Sequence, residues 1–487
     1  GGVSVSLTSA ETCVGAFGSG SFTQEGGTHT TGTLVLGYNN EGSGTYDLIG
    51  GSLVSDVQRI GLDGSGGFTQ RGGTNTVNRI VLGQEGSANG TYVLENGDAL
   101  IAHELMIAGN GSGIFNQSGG TAWVGVPGYD PEYPYSIEPT GTTFVGTNPG
   151  SNGVYNLSGG THHFGDEMFI GYEPGSTGTY NVSGSGKVQG HALYVGSNSN
   201  TGVFNQTDDG SKVLLGDIMG IGNGGTYSLS GGELISGVIN NSGTFNYSSG
   251  SVKAPINNSG RFNLSGAGTR TVDGDFLNEG TVKATDTTAV FTGTFTNNGA
   301  YVSDPSITHF GNLVIEQNGS FTGGAGDLFY VDGFLNNMSS QNFYATSSDL
   351  TFTFFGNAEH SFLVNGSDFG AVLNGYTNNF AFGILDATAS SFSLEDEDDL
   401  GGALYLNALL GADISGNIIL NIYGNGLNIY YQRGLAGNEY LAGLRYSLLD
   451  GGELIPVGNV PIPPTVWIFG SGLLGLIGFR RRFNGHR

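Results

Sequence analysis

The sequence predicts an all-β protein that winds as a right-handed parallel β-helix, and three observations support this prediction. A Gly-x-aromatic motif recurs every 22 to 25 residues, apart from one interval of 40. A second marker, an apolar residue followed by Gly, keeps the same period. Gly makes up 91 of the 487 residues, well above the usual share of about 7%. The repeated aromatics are Phe22, Tyr46, Phe68, Tyr92, Phe115, Tyr155, Tyr180, Phe204 and Tyr227, and the second marker falls at Leu36-Gly37, Ile60-Gly61, Leu82-Gly83, Val145-Gly146, Ile170-Gly171, Val195-Gly196 and Ile221-Gly222.

Each unit of about 24 residues has the size of one turn, or rung, of such a helix. Short alternating runs such as 155–158 predict strands, and the Gly, Ser and Asn clusters between them predict turns. Three strands of about five residues and three turns fill one unit, and strands of successive rungs would pair about 4.8 Å apart. Asn and Ser at equivalent positions predict side-chain ladders. Leucine-rich repeats, calcium-binding nonapeptide rolls and β-propellers fit the period and composition less well.

Changes of rhythm divide the chain into five segments. Residues 1–17 are predicted to form an N-terminal cap, and 18–235 regular rungs with an insertion loop at 126–139. The period shortens in 236–344, which predicts shorter rungs with tighter corners. Residues 345–456 are predicted to form a β-rich capping region, because an uncapped last rung would expose free backbone groups. The remaining segment, 457–487, is a tail with a short apolar helix.

Composition excludes several classes of function. A net charge of −26 with only 15 Lys and Arg argues against nucleic-acid binding, since phosphates are held by basic groups. A single cysteine, Cys13, excludes an intrachain disulfide and a cysteine-based zinc site. Collagen is excluded because Gly has no three-residue period and Pro occurs only 12 times.

The C-terminal tail has three physical parts. Pro461, Pro463 and Pro464 make an extended spacer. Residues 466–479 are uncharged and mostly apolar, and 480–482 are three arginines. Fourteen residues in a helix span about 21 Å, less than the hydrocarbon core of a bilayer. The tryptophan at one edge and the basic end nevertheless favour a membrane tail, with the arginines cytoplasmic and the body of the protein outside.

This tail resembles the PEP-CTERM class of sorting signals of Gram-negative bacteria, in its Val-Pro-x-Pro variant. The resemblance implies a secreted cell-surface or extracellular-matrix protein, held transiently in the inner membrane and recognised by exosortase, a membrane enzyme. Many members of the class accompany exopolysaccharide production, and the repeats broadly resemble the β-helices of autotransporter passenger domains. The residues that match the sorting signal are Val460, Pro461, Pro463, Pro464, Trp467, Gly470, Gly472, Arg480, Arg481 and Arg482.

The sequence indicates catalytic, binding or metal-ligating residues less clearly than it indicates the repeat. No catalytic residue is predicted, because Asp166, His191, Arg79 and His103, each 11 residues after an aromatic of the repeat, are interpreted as a polar outer ladder. His162 and His163 are close in sequence to Asp166 and Glu167, and a metal or acid–base cluster of these four residues is the alternative interpretation. No cofactor is predicted; calcium is the one ion that the acidic run at Asp396, Asp398 and Asp399 could bind, although a solvated loop is the simpler interpretation. The insertion carries Tyr129, Tyr133 and Tyr135, whose rings suit a binding or assembly loop, and a passive rigid loop is the other interpretation.

These features together favour a non-enzymatic structural protein of the bacterial surface or biofilm matrix. It is expected to be rod-like, to associate with itself, in filaments if the contacts repeat, and to be linked to exopolysaccharide. Two alternatives stay open: a β-helix enzyme that cleaves polysaccharide, and an adhesin that binds it. The expected partners are exosortase, further copies of the chain and polysaccharide, without nucleic acid.

Overall fold

A computed structural model describes residues 5–96, 99–125, 141–197, 199–324, 326–339, 350–356, 360–396 and 401–458. The protein is 62% strand and 2% helix and forms a β-solenoid of about 18 turns, which confirms the predicted parallel β-helix. The predicted apolar helix of the tail lies outside the described residues. The chain divides into two compact units, Gly1–Leu328 and Phe329–Arg487.

The strands of the first unit pair in parallel from rung to rung. In chain order they are β1 (Ser6–Val14), β2 (Ser19–Gln24), β3 (Thr28–Leu36), β4 (Ser43–Leu48), β5 (Ser52–Ile60), β6 (Ser65–Gln70), β7 (Thr74–Leu82), β8 (Asn89–Leu94), β9 (Ala99–Ile107), β10 (Ser112–Gln117), β11 (Thr121–Val124), β12 (Thr142–Val145), β13 (Asn152–Leu157), β14 (Thr161–Ile170), β15 (Thr177–Val182), β16 (Lys187–Val195), β17 (Thr201–Gln206), β18 (Lys212–Leu215), β19 (Ile218–Ile221), β20 (Gly225–Ile235), β21 (Val238–Asn241), β22 (Thr244–Lys253), β23 (Ile256–Asn258), β24 (Arg261–Ser265), β25 (Thr269–Asp273), β26 (Phe276–Asn278), β27 (Thr281–Thr285), β28 (Thr287–Asn297), β29 (Ala300–Ser303), β30 (Ser306–Ile315) and β31 (Ser320–Thr322).

A regular rung combines a six-residue strand with a nine-residue strand, as in β4 and β5. Along β5 the buried residues alternate up to Ser55 and resume at Gln58, and the pairing with β7 skips Asp56. The long strand therefore turns a corner and supplies two faces, so each rung has the three faces predicted. The first face is the short strand, and the second and third faces are the two halves of the long strand. In later rungs the two halves are separate strands, such as β18 and β19.

Glycine closes the corner between the third and first faces. Gly61, which follows β5, has a φ of +74°, and a Cβ there would collide with the backbone of Asn89. Only glycine adopts this conformation readily and leaves room for the neighbouring rung. The same geometry recurs after successive long strands, which explains the apolar-Gly marker of the sequence.

The repeated aromatics all point inward and stack into one column. From Phe22 to Phe262, successive ring centroids are 4.6 to 5.1 Å apart and the ring planes lie within 25° of each other. Stacked aromatic pairs add about 0.5–1.5 kcal/mol beyond the burial of their area. The column therefore ties each rung to both of its neighbours.

Each tyrosine of the column has a polar partner in the preceding rung. The hydroxyls of Tyr46, Tyr92, Tyr155 and Tyr227 donate to the side-chain carbonyls of Gln24, Gln70, Gln117 and Gln206 at 2.5 to 2.6 Å, and Tyr180 contacts His162 Nδ1 at 2.9 Å. Burial raises the pKa of these tyrosines, so their hydroxyls stay protonated as donors. Each glutamine amide also donates to backbone carbonyls, as Gln70 does to Gly73 in a turn and to Ala99 at the start of β9.

The shorter rungs replace these pairs with a continuous asparagine ladder. Asn241 donates to Asn258, Asn258 to Asn278, and Asn278 to Asn297, at 2.7 to 2.8 Å between Nδ2 and Oδ1. All four side chains are buried. Each donating amide also bonds a backbone carbonyl, as Asn278 does to Ala300 at 3.1 Å. The predicted side-chain ladders are thus confirmed inside the solenoid.

The second unit contains both parallel and antiparallel strand pairs. Its strands are β32 (Leu328–Val331), β33 (Phe334–Asn337), β34 (Thr351–Phe354), β35 (His360–Leu363), β36 (Phe382–Asp386), β37 (Phe392–Glu395), β38 (Ala403–Leu410), β39 (Ile414–Ser415), β40 (Ile418–Tyr423), β41 (Asn428–Gln432), β42 (Tyr446–Leu449) and β43 (Glu453–Val457). Strands β34, β36, β38, β41 and β43 pair in parallel in that order, whereas β39–β40 and β42–β43 are antiparallel. Two short 3-10 helices span Leu373–Tyr376 and Glu439–Leu441.

Candidate functional site

Most site residues predicted from the sequence lie outside the described part of the chain. This holds for the whole sorting signal, for the three tyrosines of the insertion and for two of the three calcium candidates. Those residues are Val460, Pro461, Pro463, Pro464, Trp467, Gly470, Gly472, Arg480, Arg481, Arg482, Tyr129, Tyr133, Tyr135, Asp398 and Asp399. Among the residues that the structure describes, no helix has the length and apolar character needed to cross a membrane.

The remaining calcium candidate, Asp396, bonds backbone amides. Its Oδ2 accepts the N–H groups of Gly401 and Gly402 at 3.0 and 3.1 Å. Within the described ranges, no group of three or more His, Cys, Asp or Glu side chains is placed to hold a metal ion. A calcium site at this acidic run stays a prediction from the sequence.

The insertion leaves the solenoid at the corner between the second and third faces. It connects β11 to β12, and each of these strands pairs with both β9 and β14. The aromatic column runs past it undisturbed, because Phe115 and Tyr155 pair in register although 40 residues separate them. The rung therefore carries the extra residues without a change in its core.

An outer aromatic strip, formed by Phe144, Phe169 and Tyr194, lies on the third face beside this corner. Their rings stack at 5.5 and 5.2 Å, and Tyr172 packs edge-on against the two phenylalanines at 4.9 Å. The strip is half-buried and Tyr172 is exposed. On the second face, Trp123 stacks on His163 at 3.9 Å. Sequence reasoning missed the strip, although each member stands one residue before the apolar-Gly marker.

Carboxylates border the outer aromatic strip at the same corner. His191 Nε2 lies 4.0 Å from Asp217 Oδ2. Partial burial, followed by the charge of Asp166, raises the pKa of Glu167, while His191 lowers it. Partial burial and the same carboxylates raise the pKa of Tyr194. The strip thus combines aromatic surface with hydrogen-bond acceptors, a combination that suits hydroxylated ligands.

The cluster of His162 and His163 with Asp166 and Glu167 does not assemble. His162 points inward, bonds Tyr180 and lies 3.1 Å from Thr143 Oγ1, and its burial lowers its pKa to about 3. His163 points outward, and burial and Lys187 lower its pKa to about 4. Adjacent residues of a strand face opposite sides, which is why neighbours in sequence are separated here.

Arg79 and His103, two further members of the predicted polar outer ladder, do not contact each other. Arg79 instead binds Glu104, with 2.6 Å between Nε and Oε2. Cys13 is a free, exposed thiol on β1. Partial burial and the charge of Glu11 raise its pKa, which disfavours a reactive thiolate.

The first turn of the unit presents two strand edges. β1 pairs with β3, and β2 pairs with β4; within the described residues nothing pairs with their outer edges. Val5 and Leu7 are 68% and 43% exposed beside this edge. Free strand edges flanked by apolar side chains are templates for pairing with another chain.

The chain was compared with protein-family models, curated proteins and solved structures. No family model, curated protein or solved structure matches this chain.

Proposed function

We propose that this protein is a secreted structural component of the bacterial cell surface or extracellular matrix that associates with copies of itself and with exopolysaccharide. The observation that carries the proposal is the uninterrupted inner column of stacked rings and amides. Because each rung is held by both neighbours, local opening breaks several contacts at once, which favours a stiff scaffold. Location at the surface, and recognition by exosortase, rest on the resemblance of the tail.

We assign self-association to the outer edges of β1 and β2, with which no strand among the described residues pairs. Backbone groups there would pair with a strand of a second copy, while Val5 and Leu7 become buried. The low share of charged residues, 11% of the chain, leaves few side chains that oppose such pairing.

Light scattering of the full chain tests the assembly. We expect the mass to rise with concentration, and Leu7→Lys to suppress this rise because a lysine at the edge must be desolvated on pairing. Val54→Lys is the matched control, since Val54 is 38% exposed on β5, whose two edges are already paired. A monomer at all concentrations, or equal effects of both variants, would contradict the proposal.

The proposed sorting route has a separate test in a bacterium that carries exosortase. Deletion of 460–487 is expected to abolish display at the cell surface. The intact mass of the displayed full-length protein then reports whether the tail has been removed. Unchanged display of the shortened chain would refute the role of the tail.

A second candidate function, polysaccharide binding by an adhesin, is favoured by the outer aromatic strip and its carboxylates. Phe169→Ser removes the central ring from the strip without touching the inner column. We expect this variant to lose retention on immobilised neutral polysaccharide. Retention equal to that of the unchanged protein would refute a role of the strip.

A further inference from the structure

A separate polar cavity lies within the second unit. It has a volume of about 300 Å³ and is formed by the start of β35, the start of β37, the end of β40 and two turns. This volume is at the lower end of the range of small-molecule sites. The lining residues are His360, Ser391, Phe392, Ser393, Tyr423, Asn425 and Asp450.

His360 is the unusual member of this lining. Its side chain is 2% exposed, its ring stacks on Phe354 at 5.0 Å, and its Nδ1 lies 3.4 Å from the carbonyl of Gly333. Its buried Nε2 has no hydrogen-bond partner in the described part of the chain. Native proteins rarely leave a buried ring nitrogen unpaired, so this atom calls for a partner from outside the chain.

The rest of the lining offers mixed donors and acceptors. The side chains of Ser391, Ser393, Tyr423 and Asp450 form no hydrogen bonds with other described residues, and Asn425 uses its Nδ2 on the carbonyl of Leu394. Asn425 and Asp450 have φ angles of +52° and +56°. A left-handed backbone at two non-glycine residues of one cavity is the kind of strain that accumulates at ligand sites.

We propose that this cavity binds one neutral sugar residue. Tyr423, 40% exposed, offers a ring on which a sugar can stack. Asp450 would accept hydrogen bonds from hydroxyls, and His360 Nε2 and the serines would bond hydroxyls that both donate and accept. A second polar cavity of about 520 Å³ shares Ser391, so the surface continues towards the next residue of a glycan.

Other ligand classes fit the lining less well. An anion would meet Asp450 without any Lys or Arg to bind it. A metal ion would find two ligand-type side chains of the lining, His360 and Asp450, too few for a closed site. An apolar molecule would leave the polar groups unpaired.

The inference goes beyond the proposed function, because it requires neither self-association nor the outer aromatic strip. The test is saturation-transfer NMR on the full chain with the methyl glycosides of glucose, galactose, mannose and N-acetylglucosamine. At least one is expected to bind, with a dissociation constant on the order of 1 mM. Asp450→Asn, which suits the left-handed backbone, and Tyr423→Ala should each weaken binding at least tenfold.

Matched controls show whether the effect is specific to the cavity. Tyr38→Ala removes a tyrosine that is 45% exposed away from the cavity and from the outer aromatic strip, and Asp209→Asn removes an exposed carboxylate elsewhere. Both should bind as the unchanged protein does, with unchanged unfolding midpoints in all four variants. The proposal is overturned if no glycoside binds, if binding survives both cavity variants, or if the two control variants weaken binding as much as the cavity variants do.

Discussion

Two regions of the first unit bury polar side chains in different ways. Between Phe22 and Tyr227, a glutamine or histidine of one rung bonds the tyrosine of the next, and these five pairs do not join into one chain of side-chain hydrogen bonds. The pair at Tyr92 extends through Asn75 to Gln58. Between Asn241 and Asn297, the inner members Asn258 and Asn278 each accept from the asparagine of the preceding rung and donate to that of the following one. A buried polar group must be paired in either case, but the first solution is local and the second is continuous.

This difference predicts which substitutions each region tolerates. In the paired region, an aromatic position can be tyrosine where the preceding rung supplies a polar partner, and it is phenylalanine where that rung supplies Leu48, Leu94, Val182 or Leu229. In the ladder, neither Asn258 nor Asn278 can change alone, because its asparagine neighbours on both sides lose a partner. The predictions below break one scheme or the other.

The largest effect is expected for Asn278→Ala, in the middle of the ladder. It removes the acceptor of Asn258 and the donor to Asn297, and leaves a cavity. We expect a loss of about 3 kcal/mol in the free energy of unfolding. Urea denaturation measures it, and hydrogen exchange should show faster opening of the rungs on both sides of Asn278. Protection that falls on one side only would contradict a continuous ladder.

The second prediction breaks the pairing rule with one added hydroxyl, in Phe204→Tyr. The preceding rung supplies Val182, so the new hydroxyl is buried without an acceptor, at a cost of about 2 kcal/mol. Adding Val182→Gln places a glutamine two residues after the aromatic of the preceding rung, Tyr180, the position that Gln70 holds relative to Phe68, and should recover part of the loss. Denaturant unfolding of both variants measures the coupling; additive losses in the double variant would refute the rule.

The sequence predicted the period, the three faces, the inward aromatics and the ladders, because all of these repeat and a repeat averages out local ambiguity. It did not predict that tyrosine occurs where the preceding rung supplies a polar partner. That partner stands two positions after the aromatic in the glutamine rungs, as Gln70 does after Phe68, but seven positions after Tyr155 in the case of His162. The sequence also placed His162 beside Asp166. In the structure the two side chains are separated because a corner within β14 changes the direction in which each side chain points, and the sequence does not show this corner.

The sequence alone also did not predict the cavity of the second unit. Its lining comes from positions as distant as His360 and Asp450, and no period links them. Repeats predict what adjacent rungs share, whereas a site built from irregular turns depends on the folded chain.

The third prediction concerns pH and the histidine that replaces glutamine as the partner of Tyr180. The pKa of His162 is lowered to about 3 by burial, below its ordinary value of 6.5. The unfolded chain therefore binds more protons below pH 6.5, and stability falls as the pH falls towards 3. We expect a loss of about 2 kcal/mol between pH 7.5 and 5.

His162→Asn is the matched variant, because Asn75 makes the equivalent contact with a tyrosine hydroxyl, that of Tyr92, at 3.1 Å. It should unfold with a shallower dependence on pH, retaining the smaller contribution of His163, whose pKa is also lowered. Denaturation curves at pH 7.5 and 5 give the comparison. An equal loss in both proteins would show that other groups cause the acid sensitivity.

The smallest effect is expected where the same asparagine amide is removed from a half-buried ladder instead of a buried one. Asn156 belongs to an outer ladder, accepting from Asn181 and donating to Asn116 at 2.8 and 2.9 Å, but its side chain is only half-buried. Asn156→Ala removes the same amide as Asn278→Ala, yet water can satisfy the two neighbours that lose a partner, so we expect a cost of about 0.5 kcal/mol. The same urea series measures both variants. If Asn156→Ala proved as costly as Asn278→Ala, the amide ladder itself, and not its burial, would be what stabilises the rungs.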